Sequence, residues 1–212
     1  LEAALRVTGV AEIELSGLPK ADGSVQRFLV KAAGAGGLIE GSLEDMTERF
    51  QATERLRYLS EFDSLTEVLN RRGIEQIAQA ALHQCSPERP LALAYLDLDR
   101  FKLINDLFGH AVGDDVLQQV CERLAPLAGD HRLGRVGGDE FLVVLEDTPV
   151  LQARPICQEL VDAIAGRSFE SGGKEFRLGV SIGLLELLEP ANLNEAISTA
   201  DRACRLAKAT GS

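Results

Sequence analysis

Carboxylates recur at two places where an apolar run meets a turn. The first is Asp97-Leu98-Asp99, which closes the run Leu91-Ala92-Leu93-Ala94-Tyr95-Leu96. The second is Asp139-Glu140, set between Gly137-Gly138 and the run Phe141-Leu142-Val143-Val144-Leu145. Neighbouring carboxylates repel one another unless a cation lies between them. Oxygen ligands gathered at the end of a sheet suit a hard divalent ion such as Mg2+. Taken alone, Gly-Gly-Asp-Glu reads as a solvated acidic turn. The second acidic segment, at the end of a strand that reads as buried, turns the balance toward a metal site.

The elements that must position these groups follow from periodicity. Gly137-Gly138 between two apolar segments reads as a hairpin turn in which glycine takes positive φ without steric cost. Residues 133–136 and 141–145 are then its strands, and 91–96 is a central buried strand behind Pro90. Residues 101–108 form a short helix interrupted at Gly109. Residues 112–127 form a longer one, with Val116, Leu117, Val120 and Leu124 inward. Further helices are expected over 71–85, 149–166 and 193–209, and residues 174–187 alternate as one or two strands. Strands separated by helices, with one hairpin, give an α/β (α+β) fold with a helix-covered mixed sheet.

Upstream, the chain changes character. Residues 1–42 are strand-like and glycine-rich, with strands expected at 11–15, 25–31 and 38–42 around turns at Asp22-Gly23 and at 33–37. Residues 43–62 read as one helix. Its stripe of Leu43, Met46, Phe50 and Thr53 slips to Leu56, Leu59 and Phe62. That pattern fits a short parallel coiled coil and a helix packed on its own domain equally well.

Composition excludes some functions. A net charge of −11 argues against a broad basic surface for nucleic acid. A polyphosphate ligand would need a metal and a few local cations. The cysteines Cys85, Cys121, Cys157 and Cys204 are far apart, which suggests reduced thiols in a cytoplasmic domain. His83, His110 and His131 lack metal-ligand spacing. No apolar run approaches the length of a membrane span. The opening at Leu1 suggests a piece of a longer protein, whose membrane anchoring this stretch leaves open.

Gly137-Gly138-Asp139-Glu140-Phe141 spells the GGDEF signature, and from about residue 60 onward the chain resembles the diguanylate cyclases. Other motifs fall in the family's order: Asp63-Ser64-Leu65-Thr66, Leu69-Asn70-Arg71-Arg72, Asp97 to Asp106, Phe108-Gly109-His110 with Gly113-Asp114, Val180-Ser181-Ile182-Gly183, and Ala207-Lys208. The resemblance implies a palm-like nucleotide-cyclase fold over 63–212. It implies condensation of two GTP into cyclic di-GMP with release of two pyrophosphates, with Mg2+ or Mn2+, across a homodimer. By the same resemblance Asp97, the Leu98 carbonyl and Asp139 hold metal, and Glu140 is metal ligand or general base. Arg100, Phe101 and Lys102 hold phosphates through backbone N–H groups. Asn105 and Asp114 read guanine, against a competing role for Asp114 as a helix cap. Lys208 binds phosphate. The arginine that the family places four residues later is Ser212 here, which implies reduced substrate affinity.

Residues 1–42, with the ending Asp45-Met46-Thr47-Glu48-Arg49, resemble the last part of a PAS sensor domain, which makes 43–62 a signalling linker. Ala203-Cys204 before Arg205 resembles GGDEF domains fused to an EAL phosphodiesterase domain. Such a fusion keeps a second reading open, that of a GTP-binding regulatory domain without turnover. Many family members carry Arg-x-x-Asp five residues before the signature as a product-binding inhibitory site. Ala128 and His131 occupy those positions here, so no such site is expected.

Overall fold

The computed structural model describes residues 10–19, 25–35, 38–129 and 132–210. They form two compact units that divide between Tyr58 and Leu59. In the first unit β1 (Val10–Pro19), β2 (Val25–Ala35) and β3 (Leu38–Asp45) make an antiparallel sheet in that order. β2 runs further than expected. Gly34 and Ala35 pair with Ile39 and Leu38, because ladder hydrogen bonds need no side chain.

Helix α1 (Thr47–Glu61) begins four residues later than the apolar stripe suggests. Leu43, Glu44 and Asp45 remain in the sheet, paired with Val30, Leu29 and Phe28. The Asp45 carboxylate then accepts the Thr47 N–H at 2.9 Å, and the Thr47 hydroxyl accepts the Arg27 N–H at 2.9 Å. Leu43 therefore drops out of the expected helical seam. No residue of α1 is buried, and Leu56 and Leu59 are exposed.

The second unit is built on a five-stranded sheet of order β10-β5-β7-β6-β4. Its strands are β4 (Leu69–Asn70), β5 (Leu91–Asp99), β6 (Arg132–Arg135), β7 (Glu140–Leu145) and β10 (Gly179–Leu187). Only the β4–β6 pair is parallel, so the sheet is mixed. Alternation along the strands sorts side chains onto two faces. Leu91, Leu93, Tyr95, Leu142 and Val144 pack with α2 (Arg71–His83) and α6 (Leu193–Thr210). Leu96, Leu98, Phe141 and Val143 pack with α3 (Phe101–Phe108), α4 (His110–Ala128) and α5 (Val150–Ala165). The stretch expected as one or two strands over 174–187 is two, β9 (Lys174–Phe176) and β10, and sequence reading missed the short β8 (Phe169–Ser171) that pairs with β9 as a small hairpin. Its signal was Gly172-Gly173 between two phenylalanines, and both glycines take positive φ, 57° and 73°.

Two devices fix the sheet's active end. On one wall, α6 closes onto β10 at Gly183, where an added Cβ would lie 2.0 Å from the Ala200 carbonyl oxygen. On the other, Arg135 forks between two turns. Its Nη2 donates to the Gly138 carbonyl at 2.8 Å and its Nη1 to Asp63 Oδ1 at 3.1 Å. The same Asp63 oxygen accepts the Thr66 N–H at 3.0 Å and the Thr66 hydroxyl at 2.7 Å. Arg71 Nε adds a bond to the Val136 carbonyl at 2.9 Å, and Asn70 caps α2 by accepting the Gly73 N–H at 2.9 Å. Burial pushes the Asp63 carboxyl up, but the Thr66 hydroxyl, the Thr66 amide and Arg135 outweigh it and hold it below its ordinary value of 3.8.

A carboxylate whose folded pKa lies below its unfolded one stabilises the fold above the unfolded value, and that stability is lost as pH falls through the folded value. Asp63→Asn should therefore destabilise the second unit by about 1–3 kcal/mol at pH 7. It should also flatten the loss of stability below about pH 4. Urea midpoints of both proteins at pH 7 and pH 3 check this; an unchanged gap at the two pH values would remove Asp63 from the acid response.

Candidate active site

Strand register brings the first acidic group together. Asp97 pairs with Glu140 on β7 and with Ser181 on β10. Asp97 therefore shares the α6-facing side with Tyr95, and Lys208 on α6 reaches across to it. Lys208 Nζ donates to Asp97 Oδ1 at 2.5 Å and lies 3.9 Å from Asp99 Oδ1. Burial disfavours the Lys208 charge, but the bond to Asp97 and the charges of Asp97, Asp99 and Asp139 raise its pKa above 10.5. Lys208 is thus an internal counter-ion.

Asp139 faces the same group from the hairpin turn. Burial, then the Asp97 charge, raise its carboxyl above 3.8, with Lys208 and Arg135 pulling the other way. Its carbonyl accepts the Leu98 N–H at 3.1 Å, which ties the turn to β5. Leu98 itself is fully buried on the opposite face, so only its backbone can serve a ligand.

Glu140, opposite Asp97, leans back over the turn. Its carboxylate lies against Gly137, where an added Cβ would sit 2.2 Å from Oε2. Gly137 and Gly138 do not take positive φ. The expectation of left-handed glycines is corrected: Gly137 is needed for the close approach of Glu140, and nothing lies within 4 Å of a Cβ added at Gly138. The buried Tyr95 lies beside Glu140, and burial with the Glu140 charge raises its pKa. Sequence reading took Tyr95 as one more apolar core residue, since a strand of Leu and Ala hides its polar end.

Among the described residues no three His, Cys, Asp or Glu side chains converge as a metal-holding group. The expected set of Asp97, Asp139 and Glu140 is therefore not brought together as one nest. What converges is a pair, Asp97 and Asp139, that repel one another and present only oxygen. This fits a hard divalent ion that takes its remaining ligands from water and substrate phosphates.

The other candidates line a turn and two helices. Arg100 precedes α3 in the left-handed region, φ 60°, and no side chain caps that N-terminus. Phe101 is buried in the core and Lys102 is exposed, so the Phe101 contribution to a ligand is limited to its backbone. Asn105 on α3 is half-buried and Asp114 on α4 is exposed. α4 starts at His110 with Gly109 at its N-cap, so Asp114 lies inside the helix and caps nothing. Asn105 packs against Gly113, the residue before Asp114 on α4. Asp99, at the end of the first acidic segment, accepts the Ser181 hydroxyl at 2.9 Å. Ala128 is buried at the end of α4, and His131 lies outside the described residues. No described helix is long and apolar enough to cross a membrane, and all four cysteines are free and buried.

A sequence model described as "Diguanylate cyclase, GGDEF domain" matches residues 60–212. The chain is 34% identical over 172 residues to a Shewanella oneidensis protein named cyclic di-GMP phosphodiesterase PdeB, covering 80% of this chain and 20% of that one. It is 35% identical over 173 residues to the probable diguanylate cyclase DgcE of Escherichia coli, covering 80% and 16%. The chain thus spans a fifth or less of these curated relatives. The coiled coil and GGDEF domain of Caulobacter crescentus DgcB, solved in complex with c-di-GMP, superposes with a TM-score of 0.72 at 24% identity, over 77% of this chain and 89% of that one, which is a likeness of fold. With its signature turn, its palm-like sheet and this match, the chain belongs to the GGDEF-domain diguanylate cyclase family.

Proposed function

We propose that residues 63–212 form an active diguanylate cyclase that condenses two GTP into cyclic di-GMP, with two copies of the chain facing each other. The observation that carries this reading is the convergence of Asp97, Asp139 and Lys208 beside an open glycine turn. Phosphoryl transfer needs positioning and charge neutralisation more than covalent help. Asp97, Asp139 and the Leu98 carbonyl would hold Mg2+ or Mn2+. Such an ion, when bound, neutralises triphosphate charge and acidifies the attacking 3′-hydroxyl. Lys208 exchanges its bond to Asp97 for a phosphate oxygen once that carboxylate is otherwise engaged. The first turn of α3, with Arg100, Phe101 and Lys102, offers N–H groups to the phosphates. Asp114 accepts the N1–H and N2–H2 donors of guanine, and Asn105 completes the base contact. Glu140, oriented by Tyr95, takes the 3′-hydroxyl proton or adds an oxygen to the metal. Each chain holds one GTP, so the productive state is a two-fold dimer. The exposed Leu56 and Leu59 of α1 are the apolar positions available for it. Residues 1–42 are proposed as a PAS remnant and 43–62 as the signalling linker.

One observation supports a second reading, a regulatory GTP-binding domain without turnover. The relative from Shewanella oneidensis is named a phosphodiesterase, and a fused EAL domain would carry such an activity. Incubating the chain with GTP and Mg2+ decides between them: cyclic di-GMP supports the cyclase, and GTP binding without product supports the regulator.

Asp139→Asn should abolish turnover. Its melting temperature without divalent ions should not fall, because burial and Asp97 both disfavour the Asp139 charge. Product formation near the wild-type rate would remove Asp139 from the site. Asp114→Ala should weaken GTP binding by about 1.5–3 kcal/mol, the cost of a charge-assisted contact. Unchanged GTP affinity, or equal binding of ATP by the wild type, would end its role as base reader. Specific activity should rise steeply with chain concentration. A flat profile, with sedimentation showing monomer throughout, would rule out the dimer mechanism.

A further inference from the structure

Beside the acidic pair lies a pocket of about 540 Å3 whose charge the proposed reaction leaves partly unused. Its polar lining is Asp99, Arg100, Arg177, Ser181 and Lys208, beside apolar groups that include Val161. The Asp99 carboxylate is already taken up by the Ser181 hydroxyl at 2.9 Å and by Lys208 at 3.9 Å. Arg100 and Arg177 are exposed, and among the described residues neither has a carboxylate partner. Both arginines border this pocket and a neighbouring one lined by Lys174 and Glu175, so they stand on the rim between the two. In a chain of net charge −11, two guanidinium groups without a carboxylate partner at one rim mark a place for an anion.

Topology places Arg177 where such an anion would meet the reaction centre. Gly179, the first residue of β10, pairs with Asp99, the last of β5. Arg177 precedes that pair by two residues and so stands beside the turn that carries Arg100. The left-handed Arg100 opens this turn into α3, whose N-terminus has no side-chain cap. Lys208 borders the pocket and bonds Asp97, which links the cavity to the carboxylate pair. A polyphosphate with its reacting phosphorus at Asp97 and Asp139 would run its tail past Lys208 toward the two arginines.

We propose that Arg177, together with Arg100, binds the terminal phosphate of the nucleotide and selects a triphosphate over a diphosphate. This rests on the nucleotide reading of the site. A guanidinium forks onto a phosphate through two parallel N–H bonds, which an ammonium cannot reproduce.

Calorimetry with Mg2+ and 3′-deoxy-GTP or 3′-deoxy-GDP tests the idea on the whole 212-residue chain, since neither ligand can condense. Arg177→Ala should weaken the triphosphate about tenfold or more and the diphosphate less than about twofold. Arg177→Lys should fall between wild type and Arg177→Ala. Arg72→Ala, an exposed cation remote from the pocket, should change neither. If Arg177→Ala leaves both affinities intact, or lowers both equally, the terminal-phosphate role is overturned while the nucleotide reading stands. A wild-type chain that binds neither nucleotide overturns both.

Discussion

Everything at the acidic end of this domain depends on the register of β5. Asp97 is opposite Glu140 on one neighbour and Ser181 on the other. A slip of one residue would turn Asp97 into the α4–α5 core and bring Leu98 out. The strand resists that slip because its two faces carry different volumes. Ala92 and Ala94 lie toward α4 and α5, whereas Leu91, Leu93 and Tyr95 fill the space toward α2 and α6. The chemistry therefore inherits its geometry from core packing, since the same alternation that buries Leu93 presents Asp97.

That register alone would leave two carboxylates facing each other at the mouth of a desolvated sheet. The fold answers with two cations from distant segments. Lys208 comes from the last helix and is in reach because Gly183 lets α6 close against β10. Arg135 comes from the strand before the turn and binds backbone carbonyls as well as Asp63. Their roles differ. Arg135 is largely buried and holds the shape of the turn, while Lys208 is more exposed and holds only charge.

Much of this was legible in the sequence where an apolar run ended in a charged or glycine-rich turn. Asp97, Asp139, the break at Gly109 and the longer strands of the central sheet have that signature, because burial and turn chemistry are local, whereas the two-residue β4 was not read. What escaped reading depends on contacts between distant segments. Arg135 and Asp63 are 72 residues apart, and nothing in either short motif names the other. Tyr95 looked like core because its ring is core, and only the fold brings it beside Glu140. The start of α1 was misplaced because Leu43 and Met46 match a helical stripe, yet sheet pairing through Asp45 outcompetes it. Gly137 was rightly singled out for the wrong reason, since the pressure on it is space and not φ.

An acidic chain proposed to bind a polyanion poses a question of charge. At physiological salt, exposed charges are screened beyond about 8 Å. The overall −11 therefore weighs less on a bound triphosphate than the groups within one pocket. There the balance is local: Lys208, Arg100 and Arg177 border Asp99, with Asp97 and Asp139 beyond. Two carboxylates are few ligands for Mg2+, which binds well where phosphate oxygens complete its shell. On the proposed reading the metal and the triphosphate would each supply what the other needs, the ion offsetting the phosphates and the phosphates finishing the ion's coordination. Two converging carboxylates would on this argument suit the binding of the pair together, with Lys208 as their counter-ion in the free chain.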